Sequence, residues 1–362
     1  MENCRWASGK TETVILAYTS PLQTTHCHGH DPSNHNSLPP DLDRKYLGLE
    51  KPLTVEGEPG HFGDRLINRI RNLENPLCVG LDPFLDKIPS LFRHGSMTPH
   101  DERTVPAVCA FLSAVLERIG DKVAIVKPQA ALFERLGWRG MQLLDKVIRQ
   151  ASNLGLLVLM DAKRGDIGST ATAYAGAFLT EDAPFRSDAL TISPFLGRDT
   201  LTPYLDAARE TGAGVFVLVK TSNPGSGDYQ DLAVGNRTLS ETIAHSLKDL
   251  AQAHVGPETG WSSLGVVVGA TYPKQADELR KILPKSIFLI PGYGAQGGDA
   301  DDAFRAFVAG PRGLEGGIIN SSRGILFPKN CETTDAASWE ASFDSGLTAT
   351  IDSLAEARER HR

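Results

Sequence analysis

The segment LMDAKRGDIGST, residues 159–170, carries four charged side chains directly after a run of apolar residues. Asp161, Lys163 and Asp166 have the spacing D-x-K-x-x-D, and Arg164 lies between them. Asp161 and Lys163 are two residues apart, so in a β-strand both side chains point to the same face. Buried ion pairs stabilise a fold weakly because desolvation largely cancels their attraction. We therefore expect Asp161 and Lys163 to serve chemistry, such as proton transfer or stabilisation of a developing negative charge. Arg164 is out of phase, and we expect it to have a structural or interface role on the helix side.

The charged segment belongs to a repeating pattern of short apolar runs. These runs begin near residues 78, 123, 156, 188, 214, 265, 287 and 316, and each ends in glycine, proline or a charged residue. Stretches with helical spacing lie between the runs, which indicates a parallel sheet covered by helices. Eight such units favour a closed (β/α)8 barrel, the TIM barrel of the α/β class, over an open sheet. A final amphipathic helix is predicted by apolar residues at helical spacing, namely Trp339, Phe343, Leu347, Ile351 and Leu354.

Polar residues collect at the carboxyl ends of the predicted strands, which is where barrels place their active sites. The first strand ends at Asp82, and the second ends at Lys127. By strand spacing, Lys127 lies about 5 Å from the strand that carries Asp161. Further polar residues end the fourth, fifth and eighth strands, namely Thr191, Ser193, Lys220, Thr221, Ser222, Asn223, Ser321, Ser322 and Arg323.

A glycine-rich segment, IPGYGAQGGD, follows the seventh predicted strand. Gly292, Gly294 and Gly297 give the pattern G-x-G-x-x-G, but a dinucleotide-binding fingerprint requires this pattern after a first strand. Barrels often bind phosphate with the loops after strands seven and eight. We expect the glycine N–H groups, Gln296 and the guanidinium of Arg323 to converge on a dianion. Tight turns without a ligand are the alternative.

Composition excludes several classes of function. The net charge is −7 and no basic block occurs, which argues against a nucleic-acid partner. No apolar run reaches the roughly 18 residues of a membrane-spanning helix, and no secretory signal pattern occurs at the N-terminus. The five cysteines are odd in number and form no C-x-x-C, which favours reduced thiols and a cytoplasmic protein.

The first 60 residues differ from the rest of the chain. They are rich in His, Pro, Asn and Ser with little periodicity, so we expect residues 1–60 to be a poorly ordered extension and residues 61–362 to be the barrel domain. The segment SGKT resembles the tail of a P-loop, but the required first glycine is replaced by Cys4. Metal binding by His26, Cys27, His28 and His30 stays open, although an unstructured surface run is the simpler interpretation.

Five motifs occur in order, namely CVGLDP, VKPQAALFE, MDAKRGDIGST, TSNPGS and PGYGAQGGD, and SSRGI follows them. Together they make residues 61–360 resemble the orotidine 5′-phosphate decarboxylase family, in the subfamily with the strand-three motif DAKRGDIGST. The resemblance implies conversion of orotidine 5′-phosphate to UMP and CO₂, the last step of UMP biosynthesis. It also implies that the enzyme uses no cofactor and no metal. Residues 1–60 match nothing in the family pattern.

The resemblance also implies roles for the charged residues. Lys127, Asp161, Lys163 and Asp166 correspond to the family's alternating Lys-Asp-Lys-Asp array. Lys163 corresponds to the proton donor to the pyrimidine carbon that loses CO₂, and Asp161 to the carboxylate placed against the substrate carboxylate. Asp166 corresponds to a residue that reaches the active site of the neighbouring subunit, which implies a homodimer with shared active sites.

The remaining implied roles concern substrate binding. Asp82 and Lys127 would hold ribose hydroxyls, and Ser222 would bond the pyrimidine. Thr170 would contact the ribose in the partner's site. The phosphate would be held by Gln296 and Arg323, with the glycine loop that contains Gly294.

Three other functions remain open from the residues. A related sugar-phosphate enzyme could use D-x-K-x-x-D with Mg²⁺ to handle an enediolate, and EDTA would separate it from a metal-free decarboxylase. A Schiff-base aldolase could use Lys127, Lys163 or Lys220, and borohydride would trap its intermediate. A non-catalytic nucleotide-binding barrel is the third alternative, against which the complete charged set argues.

Overall fold

The computed structural model describes residues 60–294 and 298–362. The expected extension up to residue 59, including the His and Cys residues at 26–30, lies outside the described residues, as do Gln296 and Gly297. Among the described residues, no helix is long and apolar enough to cross a membrane.

Parallel strands close into a barrel in the described part of the chain. Going around it, the strands follow one another in chain order, with each paired to its neighbours and the last paired to the first. The barrel strands are β1 (Leu77–Leu81), β2 (Ile125–Pro128), β3 (Leu157–Arg164), β4 (Ala189–Ile192), β5 (Gly214–Lys220), β8 (Ser262–Val268), β9 (Ser286–Ile290) and β12 (Gly317–Ser321). The prediction of a (β/α)8 barrel is therefore confirmed, with each strand starting within a few residues of the predicted position.

Helices surround the strands and connect them. They are α1 (Phe62–Leu73), α2 (Thr104–Ile119), α3 (Ala130–Glu134), α4 (Gly137–Asn153), α5 (Gly168–Phe178), α6 (Thr202–Thr211), α7 (Gly227–Gln230), α8 (Leu239–Ala253), α9 (Pro273–Ile282), α10 (Ala300–Phe304), α11 (Arg323–Leu326) and α12 (Ala336–Arg360). Two short 3₁₀ turns cover Arg198–Leu201 and Pro224–Ser226. The predicted amphipathic final helix is confirmed as α12, which buries Trp339, Phe343, Leu347 and Leu354.

Two short antiparallel hairpins interrupt the alternation, and the sequence pattern did not predict them. The first, β6 (Ala233–Val234) and β7 (Arg237–Thr238), lies between β5 and α8. The second, β10 (Val308–Gly310) and β11 (Gly313–Glu315), comes before β12. Each strand has only two or three residues, which is too short for the alternation that identifies a strand in a sequence.

Two apolar layers hold the barrel together. One packs the outer side chains of the strands against the helices. The other fills the interior with residues such as Ile125, Leu159 and Phe216, and α1 adds Phe62 and Leu66 to it. The rings of Phe62 and Phe216 meet edge to face at 6.0 Å between centroids. Helix α1 therefore belongs to the same apolar layer as the barrel interior.

Candidate active site

A cavity of about 620 Å³ lies at the carboxyl ends of the strands. Its lining includes the residues to which the resemblance assigns catalytic or binding roles, namely Asp82, Lys127, Asp161, Lys163, Ser222 and Arg323. Further lining side chains include Phe84, Gln129, Asn223, Tyr293, Asn320 and Ser322. Residues at the ends of seven strands, or in the loops that follow them, thus meet at one cavity, and most of the charged candidates lie together.

Strand alternation explains why the charges enter the cavity. On β2, Ile125 points into the barrel interior, and Lys127 follows two residues later. On β3, Leu157 and Leu159 point inward, and Asp161 continues the same face. Since residues two apart on a strand share a face, the last inward position of each strand brings its charge to the mouth of the barrel.

Asp161 is the centre of the charged cluster. Its Oδ2 accepts hydrogen bonds from Lys127 Nζ at 2.8 Å and from Gln129 Nε2 at 3.1 Å. Its Oδ1 accepts from Lys163 Nζ at 2.5 Å and from Thr191 Oγ1 at 3.0 Å. Asp161 and Lys127 are buried, whereas 44% of the Lys163 side chain is exposed. Lys163 is therefore the ammonium of the cluster that a bound molecule can reach most easily.

The opposite charges of the cluster keep each other ionised. Burial alone would raise the pKa of the Asp161 carboxyl, but the ammonium groups of Lys127 and Lys163 hold that pKa well below its usual range. Burial alone would lower the pKa of Lys127, but the carboxylates of Asp161 and Asp82 raise it above the usual lysine value. Both partners are thus charged at neutral pH despite their burial.

The backbone at Lys163 departs from a regular strand. Its φ is 48°, in the left-handed region that non-glycine residues rarely adopt. The pairing of β3 with β4 shifts between Met160 and Arg164, and the Lys163 N–H donates to Thr191 Oγ1 at 2.9 Å. The sequence predicted that Asp161 and Lys163 would share a face of an extended strand. Their side chains do converge, but through a distorted strand end held by the Thr191 hydroxyl.

Two acceptor oxygens in the cavity have no hydrogen-bond partner among the described residues. Asp82 Oδ1 and Asn320 Oδ1 are both buried and unpaired, and both residues line the cavity. Buried acceptors without donors are costly, so a ligand that carries hydroxyl or N–H groups would compensate them.

Asp166, Thr170 and Gly294 are predicted site residues that do not line this cavity. Asp166 is half-buried and accepts a hydrogen bond from the Ile167 N–H at 2.8 Å, and Thr170 is exposed on α5. Neither residue lines the cavity of its own chain. Gly294 has a φ of 70° and is not among the lining residues either. Gln296 lies outside the described residues. Arg323 begins the short helix α11 and lines the cavity from its exposed rim.

Arg164 lies where the sequence predicted, away from the cavity. Its guanidinium forms an ion pair with Glu134 and lies over the ring of Tyr174 at 5.4 Å from the centroid. It therefore connects the end of β3 to helices α3 and α5, which is a structural role.

Polar residues that were given no role from the sequence also contribute to the site. Gln129 and Thr191 hydrogen-bond Asp161, and Asn320 lines the cavity. Each lies at or just beyond a strand end, and Gln129 and Asn320 are two residues after an inward-facing Lys127 or Ile318. Extending the two-residue alternation by one step would have identified both.

The arrangement suits chemistry on an anion. Two ammonium groups beside one carboxylate can stabilise negative charge that develops in a bound molecule, and the more exposed one can deliver a proton. In the described ranges, no group of three or more His, Cys, Asp or Glu residues could hold a metal ion.

Comparison with known proteins gives the chain its family. A family model described as orotidine 5′-phosphate decarboxylase / HUMPS family matches residues 75–334. The orotidine 5′-phosphate decarboxylase of Rhodopirellula baltica is 42% identical over 292 residues, which cover 80% of this chain and 95% of that protein. The protein of the same name from Streptomyces coelicolor is 44% identical over 266 residues, or 73% and 89% of the two chains.

Solved structures agree with the sequence comparison. The OMP decarboxylase of Leishmania donovani superposes with a TM-score of 0.62 at 31% identity, covering 82% of this chain and 98% of that one. The family model spans the barrel from just before β1 to just before α12 and includes the whole charged cluster. The chain belongs to the orotidine 5′-phosphate decarboxylase / HUMPS family.

Proposed function

We propose a mechanism in which Lys163 protonates the carbon that loses CO₂. The reaction is the decarboxylation of orotidine 5′-phosphate to UMP, a carboxy-lyase reaction and the last step of UMP biosynthesis. The observation that carries the mechanism is the position of Lys163 Nζ, 2.5 Å from Asp161 Oδ1 at the wall of the cavity.

The chemistry requires a fixed positive charge. Loss of CO₂ leaves an electron pair on the pyrimidine ring, and an ammonium held nearby lowers the energy of this carbanion before it transfers its proton. Asp161 would hold Lys163 in place and lie against the substrate carboxylate, which disfavours the bound ground state. We assign the larger share of the acceleration to Lys163, because a preorganised charge acts directly on the transition state.

The rest of the cavity would hold the nucleotide. The unpaired Asp82 Oδ1 would accept from a ribose hydroxyl beside Lys127, and Ser222 would bond the pyrimidine. Arg323 would hold the phosphate together with Gln296 and the loop of Gly294. Binding of the phosphate, remote from the reacting carbon, can support catalysis by fixing the ring against Lys163.

A homodimer with shared sites accounts for the residues outside the cavity. Asp166 and Thr170 do not line the cavity of their own chain, and the neighbouring surface exposes 62% of Ile167 and 88% of Phe195. The loops after β3 and β4 are adjacent, because the Ser193 N–H donates to the Arg164 carbonyl at 2.8 Å. An exposed apolar surface of this kind suits a second copy of the chain.

Mixing two inactive variants tests the shared site. A Lys163→Ala chain and an Asp166→Ala chain, unfolded and refolded together, should recover about a quarter of wild-type activity. About half of randomly assorted dimers are mixed, and each mixed dimer has one intact site. Refolding each variant alone is the control, and no recovery on mixing would contradict a site shared between subunits.

We also propose a reducing compartment, the cytoplasm. Cys78, Cys109 and Cys331 are free and buried, which suits thiols that stay reduced.

The Lys163→Ala variant tests the mechanism. It should lose turnover, followed as the loss of orotidylate absorbance, while UMP still binds in calorimetry. Lys281→Ala is the matched control, because Lys281 pairs with Glu278 on the exposed face of α9 and should leave the rate unchanged. Retained turnover in Lys163→Ala would refute the assignment. EDTA should leave the wild-type rate unchanged, and inhibition by EDTA would favour the magnesium-dependent alternative.

A further inference from the structure

Lys220 is a buried lysine that the proposed mechanism does not use. It is the last residue of β5 and is fully buried. Its Nζ lies 2.8 Å from both carboxylate oxygens of Asp231 and 4.2 Å from the centroid of the Tyr272 ring. Lys220 does not line the cavity, but Thr221, Ser222 and Asn223 directly after it do.

An ion pair between a buried ammonium and a carboxylate with 36% of its side chain exposed is a weak stabiliser, because desolvation of the ammonium offsets much of the attraction. What the pair does achieve is fixed geometry, because both oxygens of the Asp231 carboxylate accept a charge-assisted hydrogen bond from the Lys220 ammonium. Asp231 also accepts a hydrogen bond from Gln275 Nε2 at 2.8 Å, so its orientation is set from α9 as well. The position of this pair therefore matters more than its contribution to stability.

The pair closes a loop around the cavity wall. Lys220 forms an ion pair with Asp231, and their neighbours in the chain, Thr221 and Gln230, hydrogen-bond each other. Thr221 N–H donates to Gln230 Oε1 at 2.8 Å, and Gln230 Nε2 donates to Thr221 Oγ1 at 2.9 Å. The two ends of the segment 221–230 are thus fixed to each other.

The loop after β8 holds the same segment from the other side. Tyr272 OH donates to the Asn223 carbonyl at 3.2 Å, and Thr271 Oγ1 donates to the Ser222 carbonyl at 3.3 Å. Gly269 lies so close that a Cβ there would come within 2.8 Å of Ser222 Cα. Ser222 is therefore confined between a closed loop and a neighbouring backbone.

We propose that Lys220 and Asp231 are positioning residues that hold Ser222 in the orientation that binds the pyrimidine ring. The proposal rests on the role of Ser222 given above. Lys220 acts through the backbone of residues 221–223 and does not itself touch the substrate. Its buried ammonium binds Asp231 and so holds the far end of the segment 221–230 in place.

A double-mutant cycle between Lys220 and Ser222 tests this. Ser222→Ala should weaken UMP binding about tenfold, the size of one hydrogen bond. Lys220→Met should weaken UMP binding to a similar extent. Combining the two should give no further loss, because both remove the same contact.

Lys220→Met is the appropriate single variant. Methionine fills the volume of the lysine stem, and Asp231, with 36% of its side chain exposed, can be hydrated when the ammonium is gone. Asp231→Asn is less suitable because it leaves a buried ammonium without its carboxylate. Lys281→Met is the matched control and should leave UMP binding unchanged. If Lys220→Met does not fold, Gln230→Ala replaces it in the double-mutant cycle, because it removes the hydrogen bonds between Gln230 and Thr221.

The outcomes separate the two proposals. Ser222→Ala with unchanged UMP affinity would refute the role of Ser222. If Ser222→Ala weakens UMP binding but Lys220→Met leaves it unchanged, the positioning role of Lys220 is refuted while the role of Ser222 stands. Losses that multiply to about a hundredfold in the double variant would show that Lys220 acts independently of Ser222, which also overturns the proposal. Matching losses that do not combine would support it.

Discussion

Replacing Asp161 by asparagine tests whether the charged cluster is as tightly coupled as its geometry indicates. Asparagine keeps the shape of the side chain but removes the negative charge. Lys127, with only 4% of its surface exposed, then loses the carboxylate 2.8 Å from its ammonium. Thr191 and Gln129 would still face the residue at 161, so the main change is electrostatic.

The size of the effect follows from burial. Removing one partner of a buried pair costs about 3–5 kcal/mol, since the other charge is left uncompensated. The Asp82 carboxylate also favours the charged form of Lys127, which offsets part of this loss. Lys163 adds little, because its half-exposed ammonium can be hydrated, and exposed pairs are worth about 0–1 kcal/mol. We expect Asp161→Asn to lower the free energy of unfolding by about 3 kcal/mol.

Urea unfolding without ligand, followed by tryptophan fluorescence, measures this loss. At a slope of about 3 kcal/mol/M, the unfolding midpoint should fall by about 1 M. Lys163→Met is the matched comparison and should stay within about 1 kcal/mol of the wild type, although it removes the proton donor. The coupling argument fails if Asp161→Asn unfolds within about 1 kcal/mol of the wild type.

Further predictions concern single residues. Arg323→Ala should raise KM about 10- to 100-fold with a smaller effect on kcat, since charge-assisted hydrogen bonds are worth about 1.5–3 kcal/mol; steady-state kinetics measures this, and an unchanged KM would exclude Arg323 from the phosphate site. The pKa of the Asp161 carboxyl is lowered in the folded state, so the ionised carboxylate stabilises the fold above about pH 3.9, and this contribution is lost as the pH falls further. The difference in unfolding free energy between wild type and Asp161→Asn, measured by urea unfolding at a series of acidic pH values, should therefore narrow below that pH. Burial raises the pKa of the Cys78 thiol to about 12, so Cys78 should react with a thiol reagent at about pH 8 only after unfolding, and modification of the native protein, mapped by mass spectrometry, would contradict its burial. Arg280 donates to the carbonyls of Leu283, Ser286, Ala306 and Gly316, so Arg280→Met should lower the unfolding free energy by at least about 3 kcal/mol in urea titrations while leaving KM within about twofold.

Much of the barrel is visible in the sequence because its strands are long enough to show their pattern. Asp82, Lys127 and Asp161 could be located from their position at strand ends, since a barrel places every strand end at the same mouth. The hairpins β6–β7 and β10–β11 are too short to show a period, and the pairing of Lys220 with Asp231 joins residues whose contact depends on how the loop folds.

The local backbone geometry at the site could not be predicted from the sequence either. The left-handed backbone at Lys163 occurs together with a hydrogen bond from its N–H to the Thr191 hydroxyl on the neighbouring strand, a contact that no local sequence pattern indicates. Arg280 was not singled out from the sequence, and it is buried among carbonyls and aromatic rings at the ends of the strands opposite the cavity. A sequence can indicate which residues are polar, but the acceptors around Arg280 are backbone atoms that every residue has.

The left-handed conformation of Lys163 has a consequence for attempts to make this protein more robust. A non-glycine residue with this φ costs roughly 1 kcal/mol, and glycine or asparagine would relieve it. Any selection or design that rewards thermal tolerance alone would therefore favour the substitutions Lys163→Gly and Lys163→Asn, and each would remove the ammonium. The backbone at this position opposes the residue that the proposed chemistry needs, so the lysine is expected to persist only while activity is also under selection.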